Sequence, residues 1–178
     1  MKKKKTGLVS LLGAAIALGL GGRANASSVV DWKEYNGHRY ELTPDVTSWT
    51  GAEHYARSLG GRLVTINDAA EESWLKNTFG TEEMYMGFYQ PNPGENEPAG
   101  GWEWTSGEPV TYTNWHRGEP NNSQGLEHWT HMNMYNGGGW NDIPANWDNL
   151  VGIVEVPEPT TIGLLGLGSF GLLKRRKK

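Results

Sequence analysis

The sequence predicts an α+β fold in which two helices pack on small antiparallel sheets and a long irregular region completes the domain. Two stretches carry apolar side chains at helical spacing, each preceded by a capping residue and followed by glycine. Short stretches near either end of this body have the character of strands. Between them, residues 91–145 are rich in Gly, Pro, Asn and Trp and show no helical period.

The first strand and the first helix follow one another near the start of the body. Tyr35 to Thr43 alternate in polarity, which puts Tyr40 and Leu42 on one face of a strand. Thr47 or Ser48 then supplies an N-cap, because a hydroxyl there can accept a backbone N–H of the first turn. Gly60-Gly61 ends the helix. Its apolar stripe consists of Trp49, Ala52, Tyr55, Ala56 and Leu59.

A second strand and a second helix come next. Leu63 to Ile66 is a short apolar run and predicts a buried strand. Asp68 and Glu71 have the spacing of a capping box, in which two side chains satisfy backbone N–H groups at the start of a helix. The helix passes through Trp74 and ends near Gly80.

The irregular region that follows is predicted to be ordered. Disordered segments are poor in aromatic residues, whereas this region holds five tryptophans: Trp102, Trp104, Trp115, Trp129 and Trp140. Trp102 and Trp104 lie two apart, on one face of a short strand, and we expect these tryptophans in the core. Tyr112 and Asn114 are related in the same way. The body closes with Val151 to Val156, a strand that can pair with the N-terminal one.

Residues 1–26 have the pattern of a secretory signal peptide. Lys2 to Lys5 form a basic start, Gly7 to Leu20 are almost wholly apolar or small, and Ala24-Asn25-Ala26 is a cleavage site. The alternative is a short membrane anchor, although the apolar run is brief for a span. We therefore expect an exported protein whose folded domain covers residues 27–156.

Residues 157–178 have three parts in a fixed order. Pro157-Glu158-Pro159 is followed by an apolar stretch, Thr160 to Leu173, and by a basic tail, Lys174 to Lys178. The stretch would reach about 21 Å as a helix, against a hydrocarbon core of about 30 Å. The three parts resemble the PEP-CTERM sorting signal of Gram-negative and related bacteria. The resemblance implies transient anchoring by a short transmembrane helix, cleavage by an exosortase-type protease, and delivery to the cell surface, the extracellular matrix or the medium. A simple C-terminal membrane anchor is the alternative.

The folded body is acidic and contains no cysteine. Residues 27–156 hold six Lys and Arg against nineteen Asp and Glu, a net charge of −13. Such a surface repels phosphate backbones and argues against binding of nucleic acid. Without disulfides the domain must be held by its core, for which its nine tryptophans provide large apolar side chains.

Hard oxygen donors concentrate between residues 119 and 142. Three carboxylates and two amides stand there in glycine-rich, helix-poor sequence: Glu119, Asn121, Glu127, Asn141 and Asp142. Ca²⁺ is coordinated by six to eight oxygens in a flexible geometry. The pattern therefore indicates a calcium site, although the same residue types also occur in ordinary turns.

From about Tyr35 to Glu155 the chain resembles the C-type lectin-like domain. Eight features in the family's order carry the resemblance: the helix, Gly-Gly and strand between Trp49 and Ile66, Tyr85-Met86-Gly87-Phe88, Trp102-Glu103-Trp104, Asn114-Trp115, Glu119-Pro120-Asn121, Glu127, Trp140-Asn141-Asp142 and Gly152-Ile153-Val154-Glu155. The resemblance implies that fold and calcium-dependent binding of carbohydrate. With the PEP-CTERM resemblance of the C-terminal segment, it implies an exported bacterial protein that binds carbohydrate.

The resemblance also implies roles for individual residues. It implies that Ca²⁺ is held by Glu119, Asn121, Glu127, Asn141 and Asp142, that the first four of these contact sugar, and that Pro120 is cis. The Glu-Pro-Asn order implies mannose, glucose or fucose-type sugars, of a glycan or exopolysaccharide. One shallow site binds weakly, so avidity through a homo-oligomer or repeated ligands is expected. The family's two disulfides fall at Ala56 with Val154 and at Trp129 with Ala145. We interpret Trp129 facing Ala145 as an apolar replacement of the second bridge.

Other functions remain as alternatives. His128 and His131 lie three residues apart near Glu127 and would suggest zinc if the segment were helical. Glu103 and Glu108 could be imagined as a glycosidase pair, but no nucleophile motif or phosphate loop is present, so we do not expect an enzyme. The main rival is a calcium-independent C-type lectin-like domain that binds protein or serves a structural role in the extracellular matrix. Positions of an accessory calcium site are not recognisable, with Glu95 and Glu97 as the only candidates.

Overall fold

The computed structural model describes residues 31–46, 48–92, 94, 96–147 and 150–157. The predicted signal peptide and most of the predicted sorting segment lie outside these ranges. The signal peptide and the short C-terminal transmembrane helix therefore stay predictions. Within the described ranges, no helix has the length and the apolar character needed to cross a membrane.

The described chain is α+β, with two four-stranded antiparallel sheets. The first sheet has the order β1-β2-β8-β3 and the second the order β5-β4-β6-β7. The strands are β1 Lys33–Tyr35, β2 His38–Leu42, β3 Arg62–Leu63, β4 Met84–Tyr89, β5 Glu103–Trp104, β6 Trp129–Met132, β7 Asn141–Ile143 and β8 Ile153–Pro157. The helices are α1 Trp49–Ser58, α2 Ala69–Phe79 and a single irregular turn, α3 Met134–Gly137.

Both predicted helices form where their caps placed them. Ser48, not Thr47, is the N-cap of α1, and its Oγ accepts the N–H of Gly51 at 3.1 Å. Asp68 caps α2 by accepting the N–H groups of the second and third residues after it, each at 2.8 Å. The Glu71 carboxylate reaches one residue further back than a capping box requires, to the N–H of Asn67. The helix ends before Gly80, as predicted.

The N-terminal strand was predicted as one element and is a hairpin. Asn36 and Gly37 both have positive φ, which turns the chain between β1 and β2. Asn-Gly at two consecutive positive-φ residues is the preferred two-residue hairpin turn, because its twist matches that of the strands. β2 then pairs with β8 from His38 opposite Pro157 to Leu42 opposite Ile153, which confirms the predicted pairing of the first and last strands.

The region predicted as irregular contains three of the four strands of the second sheet. β5, β6 and β7 all come from residues 91–145 and assemble on β4. Most residues of β4, and all of β7, are buried. Strands buried on both faces have no polarity alternation, so the sequence pattern did not reveal β4 and β7. The short strand predicted at Trp102 and Trp104 is confirmed as β5. Long loops connect them, and these loops carry the candidate site.

Tryptophans of that region fill the core, as predicted. Trp140 is fully buried, and Trp102 and Trp104 are nearly so. Their rings surround Phe88, with centroids 5.5 Å away for Trp102 and 4.4 Å for Trp104. Tyr112 and Asn114 lie outside any strand, but both contact Glu72 of α2, which confirms that they share a side. The core thus holds the loops in place without disulfides.

Candidate functional site

Trp140 positions the residues that follow it. Its backbone N–H donates to the carbonyl of Asn114 at 2.7 Å, and its carbonyl accepts the N–H of His116 at 2.8 Å. The buried indole anchors the start of β7, so Asn141 and Asp142 emerge from a rigid strand. His116 in turn accepts the N–H of Glu119 through its carbonyl at 2.9 Å. The backbone of one buried residue, Trp140, therefore links the segment that leads to Glu119 with the strand that carries Asn141 and Asp142.

Asp142 is the centre of the site. It is fully buried, and each carboxylate oxygen accepts a backbone N–H from the loop, from Asn121 at 3.0 Å and from Asn122 at 2.7 Å. The bond between Glu119 and Pro120 is cis, in agreement with the sequence resemblance. The two hydrogen bonds to Asp142 tie the loop after this bond to strand β7.

Glu119 contacts the same carboxylate. Burial raises its pKa above the usual value for glutamate, and the charge of Asp142 and a hydrogen bond to it raise the pKa further. Its Oε2 atom is buried without a hydrogen-bond partner among the described residues. A buried anionic oxygen without a partner is costly, and this one lies beside a second carboxylate.

Glu127 faces the other two carboxylates from the far end of the loop. It is 8% exposed, and its Oε2 accepts the N–H of Ser123 at 2.8 Å. Burial raises its pKa, and the charges of Asp142 and Glu119 also raise it. Asn122, which has a left-handed backbone, accepts the N–H of Glu127 through Oδ1 at 3.1 Å. Asn122 therefore braces the loop on both sides, a role the sequence analysis did not assign to it.

Asn141 and Asn121 complete the set of five. Asn141 is 8% exposed on β7, and its Nδ2 lies 3.2 Å from Nε2 of His131. Asn121 is exposed, and its side chain hydrogen-bonds Glu119, which lowers the pKa of that carboxyl. Contacts or charge effects thus link Glu119, Asn121, Glu127 and Asp142, and Asn141 adjoins Asp142 in the chain.

The donor set fits a hard cation by its chemistry. The charges of Glu119, Glu127 and Asp142 act on one another, and the pKa values of the two glutamates are raised. A cation would relieve both this repulsion and the partnerless oxygen of Glu119. In the described ranges, no three His, Cys, Asp or Glu side chains form a group that could hold a metal ion by themselves. Asparagine oxygens would have to take part, as they do in calcium sites.

The two histidines have separate partners. His128 Nδ1 lies 3.1 Å from Oε1 of Gln90 and 3.6 Å from Glu97. His131 is 1% exposed, and burial lowers the pKa of its imidazole. The zinc alternative needed both rings at one ion, and these contacts take them to different neighbours.

The remaining candidates lie elsewhere. Glu97 accepts the N–H of Gly94 and lies 3.6 Å from Nδ1 of His128. Glu95 is outside the described residues. Glu103 is exposed on β5, and Glu108 accepts a hydrogen bond from Asn67.

The positions of the family's two disulfides have apolar contacts here. Ala56 and Val154 pack in one apolar cluster. Trp129 packs on Trp49, at 6.5 Å between centroids, and the N–H of Trp49 donates to the carbonyl of Ala145 at 2.9 Å. Trp49 thus joins the two positions of the second missing bridge.

Comparison with known proteins identifies the family. The family model of the Lectin C-type domain matches residues 45–151, more than half of the chain. This protein belongs to the C-type lectin family. The PEP-CTERM protein-sorting motif matches residues 155–178, so the C-terminal segment is a sorting signal of that kind.

Relatives of this C-type lectin support the same conclusion. A perlucin-like protein of Mytilus galloprovincialis is 32% identical over 67% of this chain and 76% of its own length. A C-type lectin of Micrurus corallinus is 32% identical over 77% of this chain and 89% of its own.

Two solved structures share this fold. The C-type lectin domain of murine dendritic cell inhibitory receptor 2, in complex with N-glycan, is 28% identical with a TM-score of 0.60, over 72% of this chain and 97% of that one. A calcium-independent type II antifreeze protein has a TM-score of 0.61 at 22% identity, over 71% and 91% of the two chains, and shows the fold alone.

Proposed function

We propose that this C-type lectin is exported and binds carbohydrate in a calcium-dependent manner through the loop between Glu119 and Asp142. One observation carries the proposal: the buried, partnerless Oε2 of Glu119 beside the buried carboxylate of Asp142. A fold that only needed a stable loop would gain by replacing one of these acids with an uncharged residue. Two acids kept together in a buried place are explained by a cation that neutralises them.

Five residues would hold the ion: Glu119, Asn121, Glu127, Asn141 and Asp142. When bound, Ca²⁺ supplies open coordination positions that neighbouring hydroxyls of a sugar can fill. The side chains of the site do the remaining work. Carboxylate oxygens of Glu119 and Glu127 accept hydrogen bonds from sugar hydroxyls, and amide groups of Asn121 and Asn141 donate to hydroxyl oxygens. Each sugar hydroxyl is thereby fixed by a donor or acceptor of the protein.

The expected ligands are mannose, glucose and fucose-type sugars. The order Glu119-Pro120-Asn121 places the acceptor before the donor, and the family resemblance associates this order with equatorial 3- and 4-hydroxyls. We expect the natural ligand to be a glycan or exopolysaccharide with many copies of such a sugar. A homo-oligomer would raise the avidity of a single shallow site.

Export and sorting are part of the proposal. The PEP-CTERM match begins at residue 155, within β8, so the sorting segment directly continues the last strand of the domain. We propose that an exosortase-type protease cleaves near Pro157 and delivers the domain to the cell surface, the matrix or the medium. An acidic, disulfide-free domain held by a tryptophan-rich core suits that location.

A glycan array tests the function directly. The full chain is applied with millimolar Ca²⁺ and again with chelator, beside a Glu127→Gln variant and the matched variant Glu34→Gln, which changes an exposed glutamate of β1. We expect mannose-type binding that chelator and Glu127→Gln abolish and Glu34→Gln leaves intact. A folded protein that takes up no calcium would overturn the proposal.

One specific observation favours a second candidate, a calcium-independent domain that binds protein or has a structural role. Both carboxylate oxygens of Asp142 already accept backbone N–H groups, so the loop is held together in the absence of metal. Capture of a protein partner that persists in chelator, and that ignores Glu127→Gln, would support this candidate against the first.

A further inference from the structure

His131 is a buried polar side chain with no assigned role in the proposed site. It lies within β6, and the β6–β7 pairing sets it directly opposite Asn141. It is 1% exposed. An apolar residue would fill the same space without the cost of burying two ring nitrogens. The two hydrogen-bond contacts of the ring therefore have to explain its presence.

The contacts of the ring fix its tautomer. Nδ1 lies 3.1 Å from the carbonyl oxygen of Met132, and Nε2 lies 3.2 Å from Nδ2 of Asn141. A carbonyl oxygen can only accept, so the proton must be on Nδ1. Nε2 of the neutral ring then has a lone pair and accepts a hydrogen from the Asn141 amide.

The tautomer in turn fixes the Asn141 amide. Nδ2 and Oδ1 are the two branches of one planar group, so holding Nδ2 against His131 sends Oδ1 the other way. Asn141 is itself nearly buried, and a free rotation that exchanged the two branches would lose this hydrogen bond. Only Oδ1 can serve as a ligand of a hard cation, because the amide nitrogen carries hydrogens and no available lone pair.

We propose that His131 is a positioning residue that presents the Oδ1 atom of Asn141 to the metal. This inference rests on the proposed calcium function and adds one residue to it. His131 touches neither metal nor sugar and acts through Asn141 alone. Partners that orient a metal ligand typically matter by about 10–100-fold in affinity when they are removed.

Two substitutions separate orientation from packing. His131→Phe keeps the ring volume and removes the acceptor, whereas His131→Gln keeps an acceptor oxygen near the position of Nε2. His128→Phe is the matched control, because His128 is a half-buried histidine beside β6 whose partner is Gln90. Calcium affinity is measured by titration calorimetry on the full chain, together with the melting temperature in chelator. His131→Leu provides a second apolar variant if the phenylalanine does not fit.

We expect His131→Phe to weaken calcium binding by about 10-fold or more, and His131→Gln to restore it to within about 3-fold of wild type. His128→Phe should leave the affinity unchanged. Equal calcium affinity of wild type and His131→Phe, or a His131→Gln variant as weak as His131→Phe, would overturn the inference. If wild type itself binds no calcium, the proposed function fails, and the role given to His131 fails with it.

Nitrogen NMR of the metal-free protein gives a readout that does not depend on calcium. We expect imidazole shifts of the form protonated at Nδ1, and a hydrogen-bond coupling between Nε2 and the Asn141 side-chain amide. A ring protonated at Nε2 would donate to Oδ1 instead and would hold that oxygen against His131, so that it could not face the metal. That result would overturn the inference even if calcium binds.

Discussion

Asp142 accepts the backbone N–H of Asn122 at 2.7 Å, which joins strand β7 to the loop that begins at Glu119. The second oxygen of the same carboxylate accepts the N–H of Asn121 at 3.0 Å. The strand is fixed by its pairing with β6, whereas the loop has no strand partner. The carboxylate is therefore the fixed point to which the loop attaches, and the site depends on it before any ligand arrives.

Replacing Asp142 with asparagine should loosen this loop. The new amide keeps one acceptor but presents N–H groups to the other backbone N–H, which loses its partner. An unmade hydrogen bond of this kind costs about 1–3 kcal/mol. We expect the amides of Asn121 and Asn122 to exchange with solvent at least about 10-fold faster in metal-free protein, measured by hydrogen exchange, and calcium binding to be lost.

Asp68→Asn is the matched control for that experiment. Asp68 also accepts two backbone N–H groups, at the start of α2. Both N–H groups are accepted by Oδ1, an oxygen that asparagine keeps, so exchange at Ala70 and Glu71 and calcium binding should both stay close to wild type. Unchanged exchange at Asn121 and Asn122 in the Asp142→Asn variant would contradict the tie described above.

Trp129→Ala should weaken calcium binding, whereas a tryptophan variant with a similar cost to the fold should not. Trp129 packs on Trp49 and belongs with Ile143 to one apolar cluster, at the end of β7. Removing a partly buried tryptophan costs about 3 kcal/mol in the free energy of unfolding. We expect a comparable loss for Trp74→Ala. The ring of Trp74 packs on that of Tyr35, with 4.7 Å between the two ring centroids.

The two tryptophan variants should differ in calcium affinity. Calorimetric titration should show at least about a 10-fold loss for Trp129→Ala and little change for Trp74→Ala, because second-layer support of ligand residues has effects of this size. Equal affinities of wild type and Trp129→Ala would show that this ring does not replace the missing bridge.

The contribution of Glu119 and Glu127 to the stability of the metal-free protein should increase as the solution is acidified. The pKa values of Glu119 and Glu127 are raised by burial and by neighbouring carboxylates. A carboxyl with a raised pKa binds its proton more tightly in the folded state, so its contribution is present below the usual pKa of 4.5 and is lost as the pH rises through the folded value.

Glutamine at position 119 isolates one part of this effect. Thermal unfolding in chelator should show that Glu119→Gln gains melting temperature over wild type as the pH rises above the usual glutamate pKa of 4.5, because the amide carries no charge to repel Asp142. Glu34→Gln, an exposed control, should show no such gain. With calcium the dependence should reverse, since protons compete with the ion for the same oxygens. A flat difference between Glu119→Gln and wild type would refute the assignment.

Exchanging acceptor and donor at two positions should change the preferred sugar. Glu119→Gln with Asn121→Asp produces the Gln-Pro-Asp order, which the family resemblance associates with galactose. We expect about a 10-fold shift in the ratio of mannose to galactose affinity, the size produced by a difference of 1.4 kcal/mol, on a glycan array with calcium. Retained mannose preference in a variant that still binds calcium would show that other residues select the sugar.

Much of the fold follows from local sequence. Ser48, Asp68 and Gly80 set the limits of two helices, because caps act on backbone groups only a few residues away. The Asn36-Gly37 turn carried an equally local signal, and our single-strand prediction overlooked it. In the second sheet, the alternation of Trp102 and Trp104 predicted β5, whereas β4 and β7 are buried on both faces and lack a polarity period.

In the candidate site, the residue types and their spacing could be read from the chain alone, at Glu119, Asn121, Glu127, Asn141 and Asp142. Which of their atoms meet depends on how the chain folds. The tie from Asn122 to Asp142 spans 20 residues, and the pair His131 and Asn141 exists because of the register between β6 and β7. Strand register and loop closure depend on packing across the whole core, led by the buried Trp140, and no stretch of neighbouring residues encodes them.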